Sequence, residues 1–150
     1  MKRLGADVAV DYKRNDFAKV LRDCDLVLNS LDKDTLEKSL KVLKPGGQLI
    51  SVSGPPDPDF ARGLGASWAV RQVTRLLSYR IRKKAKRQHV NYSFLFMRAN
   101  GEQLSKISAL IDSGDVRPVV DRIFPFEAVN EALAYVETGR AKGKVVIKVS

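Results

Sequence analysis

The chain has 150 residues, 44% of them hydrophobic and 29% charged, which is the balance of a folded domain rather than a disordered one and leaves room for one or at most two domains. One Cys and one His exclude a disulfide framework and a Cys/His zinc site within the chain. No apolar run approaches the roughly 20 residues of a membrane span, and the opening residues Met1 to Asp7 hold no apolar stretch suited to a signal peptide, so a reducing cytoplasm is the default expectation.

Asp7 to Tyr12 reads as a short strand. A helix is expected over Lys13 to Asp23, with Asn15 or Asp16 as N-cap and Phe17, Val20 and Leu21 at helical spacing. Cys24 to Ser30 reads as a second strand, apolar enough to be buried on both faces. Asp34 is the expected cap of the next helix, along Leu36, Leu40 and Leu43, with Lys44-Pro45-Gly46-Gly47 as its stop. Gln48 to Ser53 is a third strand, ended by Gly54-Pro55-Pro56. Strands and helices alternating with tight connections predict right-handed βαβ units and a parallel sheet.

From Asp57 to Gln88 there is no strand signal, and Ala69, Val73, Leu76, Leu77 and Ile81 keep helical spacing. Asn91 to Arg98 returns to a strand, and Gly101 to Ser113 is an amphipathic helix closed by Gly114. Val116 to Phe124 is extended, with Pro118 suggesting an edge. Glu127 to Glu137 is a helix closed by Gly139, and Lys144 to Val149 is the last strand.

The net charge of +10 has a local source. Of the 27 Lys and Arg, eight lie between Arg71 and Arg87 with no acid among them, and the other 19 nearly balance the 17 acids. This basic helix reads as a solvated face or as a binder of nucleic acid or anionic membrane. The solvated face ranks first. The binder ranks lower, because aromatic content is low and no nucleic-acid motif accompanies the charge.

The residues hold little self-contained catalysis. His89, between basic neighbours and Val90, reads as a solvated surface residue, and no G-x-S-x-G elbow is present. Cys24 reads as a structural thiol, and Asp57-Pro58-Asp59 as a loop and helix cap. No catalytic and no metal-ligating residue is assigned.

LGADVAVDY, then LEKSLKVLKPGGQLISVSG, then FPFEAVNEALAYVETGRAKGKVVIKV resemble, in that order, the C-terminal half of a medium-chain dehydrogenase/reductase. GPPDPDFARGLG before the basic helix, and YSFLFM after it, are similar to the zinc-independent, quinone-oxidoreductase-like branch. The resemblance spans essentially all 150 residues. It implies an α/β fold: a partial Rossmann domain, a doubly wound parallel sheet lacking its first βαβ unit, over residues 1–115. A basic helical insert would occupy 57–90, and a lid facing substrate or a second subunit is the reading of its helix that the resemblance implies. Residues 116–150 would form a strand-helix-strand segment that rejoins an absent catalytic domain.

The same resemblance implies an NADP(H)-dependent oxidoreductase that passes hydride to a small carbonyl, enone or quinone without metal. No G-x-G-x-x-G turn occurs in the chain; Gly63-Leu64-Gly65 follows no strand and lacks the third Gly. The expectation is therefore a fragment, weak or inactive alone. The alternatives are a noncatalytic nucleotide-binding or interaction module, and a basic membrane- or nucleic-acid-associating protein. A homo-oligomer is expected, because missing inner strands would leave an open edge on the strand at Cys24 to Ser30.

Cofactor contacts are implied at ten positions. Tyr12 would lie against the adenosine ribose phosphate, or else be a surface aromatic. Asn29, Ser30, Ser53 and Gly54 end strands where open α/β sheets bind ligands, with Gly54 equally an ordinary turn residue. Leu31-Asp32-Lys33 departs from the small residues usual in similar proteins. Phe94 and Phe96 lie in the strand that offers backbone groups to the nicotinamide amide, although their rings suit core packing. Arg140, Lys142 and Lys144 would favour a 2′-phosphate, hence NADP over NAD, or else stabilise a helix C-terminus.

Overall fold

The computed structural model describes residues 2–149. They fall into two compact units, the first running to Arg98 and the second from Ala99.

In the first unit, a short helix α1 (Phe17–Val20) precedes β1 (Cys24–Asn29). Asp16 caps α1 by accepting from the Ala18 N–H at 3.1 Å. α2 (Lys33–Ser39) runs on through a 3-10 turn into β2 (Leu43–Ser51). Then come α3 (Pro58–Gly63), α4 (Trp68–Leu77), α5 (Tyr79–Arg87) and β3 (Asn91–Phe94). The three strands form a parallel sheet in the order β1-β2-β3. The expected α/β class with a parallel sheet is what the chain adopts.

Register decides which side chains share a face. Val27, Leu49 and Tyr92 are aligned across the three strands, and so are Asn29, Ser51 and Phe94. The first row packs on Leu36 of α2, Leu40 of the 3-10 turn that follows it, and Ile81 and Ala85 of α5, which makes the core of this unit. The opposite face carries Leu26 and Leu28 of β1, both more than half exposed. β1 is therefore covered on one face only among the described residues, and the expectation of a strand buried on both faces fails.

Four local expectations are corrected with it. Asp7 to Tyr12 is not a strand: it runs as irregular chain into a turn at Tyr12–Arg14, where the Asn15 N–H bonds the Asp11 carbonyl at 2.8 Å. It pairs with no described strand, so no ladder makes Val8 and Val10 part of a sheet. The helix expected from Lys13 shrinks to α1, because Leu21 turns extended at ψ 145° and Asp23 adopts a positive φ of 54°. Asp32, not Asp34, caps α2, accepting from the Thr35 N–H at 2.8 Å. Lys44-Pro45-Gly46-Gly47 does not end a helix but lies inside β2 as an irregularity, between the Cys24–Leu43 and Leu26–Gln48 pairs.

The second unit holds α6 (Gly101–Asp112), β4 (Val120–Pro125), α7 (Val129–Glu137) and β5 (Lys144–Lys148). β4 and β5 pair in parallel, joined through α7. The expected strand-helix-strand is thus present, although the first strand starts at Val120 rather than Val116. At Gly143 a side chain has no room: a Cβ would stand 2.5 Å from the Val119 carbonyl oxygen. The Tyr135 hydroxyl donates to Asp121 Oδ2 at 2.6 Å, and the Arg122 guanidinium lies 4.2 Å from the centre of the Tyr135 ring. This bond holds the Asp121 carboxyl below its ordinary value and pushes the Tyr135 hydroxyl up.

Candidate functional site

The carboxyl ends of β1 and β2 are tied together by side chains. Asn29, 3% exposed, accepts at Oδ1 from the Ser51 hydroxyl at 3.1 Å and from the Ser53 hydroxyl at 3.2 Å. The single Ser53 proton is shared between Asn29 Oδ1 and the nearer Leu31 carbonyl. The Gly54 N–H donates to Ser51 Oγ at 2.9 Å. Two hydroxyls on one amide oxygen fix where both strands end and how the following loops leave the sheet.

Gly54 answers to this packing. A Cβ there would stand 2.8 Å from Ser51 Oγ, 2.8 Å from the Tyr92 hydroxyl and 3.0 Å from Leu36 Cδ2. The absent side chain makes space for the protein's own groups.

Two hollows flank these strand ends. One, of about 810 Å³, is lined by Tyr12, Arg14, Asn29, Ser30 and Lys38 among others. The other, of about 280 Å³ and largely apolar, is lined by Ser53, Gly54, Pro55, Leu36 and Ile81 among others. Leu31 and Asp32 border both. A further hollow of about 510 Å³ lies between α2 and α5, lined mainly by charged side chains such as Asp34, Lys41 and Arg87, away from the strand ends.

The larger hollow has a mixed polar lining. Tyr12 stands 82% exposed at its rim. Arg14 lies 3.8 Å from Asp11, and Lys38 is 3.0 Å from Asp16, whose carboxyl that ammonium holds below its ordinary value. The lining also holds three carboxylates, Asp16, Asp32 and Asp34, which balance the cations Lys13, Arg14 and Lys38. So Tyr12, Asn29 and Ser30 share one hollow, and Ser53 and Gly54 the neighbouring one.

The side chains of Phe94 and Phe96 stand beside Phe60. Their rings lie 4.9 and 6.4 Å from the ring of Phe60 on α3, in an aromatic trio. The backbone N–H of Phe94 is already engaged by Asp57 Oδ2 at 2.9 Å, and that of Leu95 by the Ser51 carbonyl at 2.9 Å. Arg140, Lys142 and Lys144 are exposed and belong to the second unit, on the connection from α7 into β5. His89 is exposed, as expected for a solvated residue. Among the described residues no three His, Cys, Asp or Glu side chains gather as a metal site.

Sequence reasoning missed Ser51, Tyr92 and the second role of Asp57. The Asp57 carboxylate caps α3 through the Phe60 N–H at 2.8 Å and also holds Phe94 in β3. Tyr92 donates to the Pro55 carbonyl at 2.7 Å. Burial, and then the Asp57 charge, push its hydroxyl well above the usual phenol range.

Residues 4–147 match the family model described as zinc-binding dehydrogenase. The chain belongs to this family. Within the medium-chain dehydrogenase/reductases, its relatives include a zebrafish (Danio rerio) protein named NAD(P)H oxidoreductase RTN4IP1, mitochondrial, 33% identical over 99% of this chain and 39% of that protein. A tomato (Solanum lycopersicum) protein named 2-methylene-furan-3-one reductase is 33% identical over 98% of this chain and 30% of that protein. Among solved structures, the quinone oxidoreductase from Coxiella burnetii superposes with a TM-score of 0.74 at 25% identity, over 99% of this chain and 41% of that one. The chain thus spans between 30% and 41% of the length of these proteins.

Proposed function

We propose that these 150 residues are the cofactor-binding portion of an NADP(H)-dependent, zinc-independent oxidoreductase that reduces a small carbonyl, enone or quinone. The observation that carries the reading is the hollow at the carboxyl ends of β1 and β2, lined by Tyr12, Asn29 and Ser30, in a chain of this family. The names of its relatives, an NAD(P)H oxidoreductase, a furanone reductase and a quinone oxidoreductase, support the reaction class.

The bound nicotinamide would supply the hydride, so the protein's task is position and electrostatics. The Tyr12 ring would cover the adenosine ribose phosphate. The Asn29–Ser51–Ser53 bonds would hold the strand ends rigid beneath the ligand, with Ser30 on the wall. Arg140, Lys142 and Lys144 would favour a 2′-phosphate, and hence NADP over NAD. A small-molecule substrate and assembly with a second copy belong to the same proposal, as does a cytoplasmic location. Several relatives are named mitochondrial, and no described helix is long and apolar enough to cross a membrane.

These residues by themselves should bind the cofactor weakly, because they contain no glycine-rich turn opening a helix to receive the pyrophosphate. Calorimetric titration with NADPH should give a dissociation constant no tighter than about 100 μM, a free energy near −5.5 kcal/mol. Low-micromolar binding would overturn the weak-binding claim, and no binding at millimolar NADPH would overturn the cofactor assignment.

A further inference from the structure

The chain has five asparagines, Asn15, Asn29, Asn91, Asn100 and Asn130. The residues that follow them are Asp16, Ser30, Tyr92, Gly101 and Glu131, so Asn100 alone precedes a glycine. The pair matters because the main-chain nitrogen of the next residue can attack an asparagine amide. A glycine in that place has no side chain to obstruct the approach and the widest choice of backbone angles.

Asn100 stands immediately before α6. Its backbone is extended, at φ −149° and ψ 106°, and its Oδ1 caps the helix by accepting from the Gln103 N–H at 3.0 Å. Three features leave it open to attack. Asn100 and Gly101 are both exposed, so water reaches the amide. The Gly101 N–H is one of the first-turn donors that a helix cannot satisfy itself, and it has no hydrogen-bond partner among the described residues. A Cβ placed on Gly101 would meet nothing within 4 Å, so no neighbouring group blocks the ring that the attack closes.

The restraint on the amide is light. α6 buries none of its residues, so the turn that carries the Gln103 bond is anchored by no buried side chain and opens readily. While the bond lasts it favours the reaction, because charge grows on Oδ1 as the nitrogen adds to Cγ, and the Gln103 N–H faces that oxygen. The other asparagines are placed differently. Asn29 is 3% exposed and accepts two hydroxyls, Asn91 lies in the β2–β3 ladder, and Asn130 lies inside α7. Asn15 is exposed, but the next residue is Asp16, whose carboxylate opposes deprotonation of its own N–H.

We propose that Asn100 is a modification site, where the chain deamidates itself through a cyclic imide. The Gly101 nitrogen gives up its proton and bonds to Asn100 Cγ; the amide nitrogen takes up a proton and leaves as ammonia, closing a five-membered succinimide. Water then adds to one of the two ring carbonyls and breaks its bond to the Gly101 nitrogen. Cleavage at Cγ leaves an ordinary aspartyl residue. Cleavage at the main-chain carbonyl carbon leaves an isoaspartyl link, with the main chain running through the former side chain. One water is consumed, one ammonia is released, and nothing is oxidised or reduced. The aspartyl form caps α6 as the amide did and adds negative charge at its N-terminus. The isoaspartyl form inserts a methylene into the main chain and takes the acceptor away from the Gln103 N–H. The proposal rests on no part of the cofactor reading.

The test is ageing of the 150-residue protein in mildly alkaline buffer at body temperature, followed by trypsin digestion and mass spectrometry. Cleavage after Arg98 and Lys106 releases the peptide Ala99–Lys106. It should gain about 1 Da and separate into two chromatographic forms. Asn100 should convert about tenfold faster, or more, than any of the other asparagines. Gly101→Ala, which the open space admits, should slow the conversion by about tenfold or more. Hydrogen exchange at the Gln103 N–H should be faster in the isoaspartyl fraction, whereas Asn100→Asp should keep it as slow as in the unmodified protein. Conversion confined to the urea-unfolded chain overturns the proposal, because the cap would then be a lock. So does conversion no faster than at the other asparagines, or a rate that Gly101→Ala leaves unchanged, which would be direct hydrolysis of the amide. Unchanged exchange at Gln103 in the isoaspartyl fraction would contradict the effect on α6.

Discussion

Replacing Asp57 tests how the first unit is held together. The residue is 4% exposed and accepts two backbone bonds from parts of the chain 34 residues apart: Phe60 N–H at 2.8 Å, opening α3, and Phe94 N–H at 2.9 Å, in β3. Asp57→Ala removes a helix cap, which costs about 1 kcal/mol. It also leaves the part-buried Phe94 N–H without an acceptor, which costs about 1–3 kcal/mol more. The total should be about 2–4 kcal/mol of unfolding free energy. Asp57→Asn retains one acceptor oxygen for two donors, so it can satisfy either Phe60 or Phe94 and should lose only about 1–3 kcal/mol. Urea unfolding followed by circular dichroism should rank the proteins wild type, Asn, Ala. An Asn variant as stable as wild type would mean that one of the two bonds contributes nothing. An Asn variant no better than Ala would mean that the retained oxygen serves neither helix nor strand.

Other expectations follow from single contacts. Gly143→Ala sets a methyl group against the Val119 carbonyl and should destabilise the second unit by about 1–3 kcal/mol in the same assay; a neutral result would mean that the turn before β5 gives way freely. Tyr135→Phe should raise the Asp121 carboxyl toward its ordinary value, read by NMR titration, and an unmoved titration would contradict the bond. The folded value of Asp121 is depressed, so the stability it contributes is present above the ordinary carboxylate value and is lost as pH falls through the folded value. In Tyr135→Phe that part of the acid dependence should flatten. Sedimentation velocity at micromolar concentration should show dimers or larger species, because β1 has an outer edge paired with no described strand and shows Leu26 and Leu28 to water. Leu28→Lys should return them to monomer; a wild-type monomer would contradict the expectation.

Where local chemistry decides the structure, the sequence is a sound guide. Leu36 and Leu40 at helical spacing mark the inner face of α2 and of the 3-10 turn that continues it, and Gly114 and Gly139 follow their helices at φ of 81° and 66°. Where the decision belongs to a distant neighbour, the sequence is silent. Val8 and Val10 alternate as a strand does, yet no described strand pairs with them. Lys44-Pro45-Gly46-Gly47 has the chemistry of a helix stop, but the α-helix has already ended at Ser39 and passed through a 3-10 turn, leaving Pro45 and Gly46 to be absorbed within β2. The apolar period of α4 identifies the helix correctly and conceals that Val73, Leu76 and Leu77 stay more than half exposed. At the site, Asn29 and Ser53 are legible as strand-end residues. Their joint hydrogen bonding is not, because it depends on the in-register pairing of Asn29 with Ser51 across the sheet.

The central claim, a nucleotide cofactor at the carboxyl ends of β1 and β2, is tested most directly by a residue-resolved NMR titration with NADPH, with NADH alongside. Backbone signals of Tyr12, Asn29, Ser30 and Ser53–Gly54 should move together and saturate at one dissociation constant, weaker for NADH than for NADPH. Shifts confined to other parts of the chain, or none at millimolar NADPH, would contradict the account.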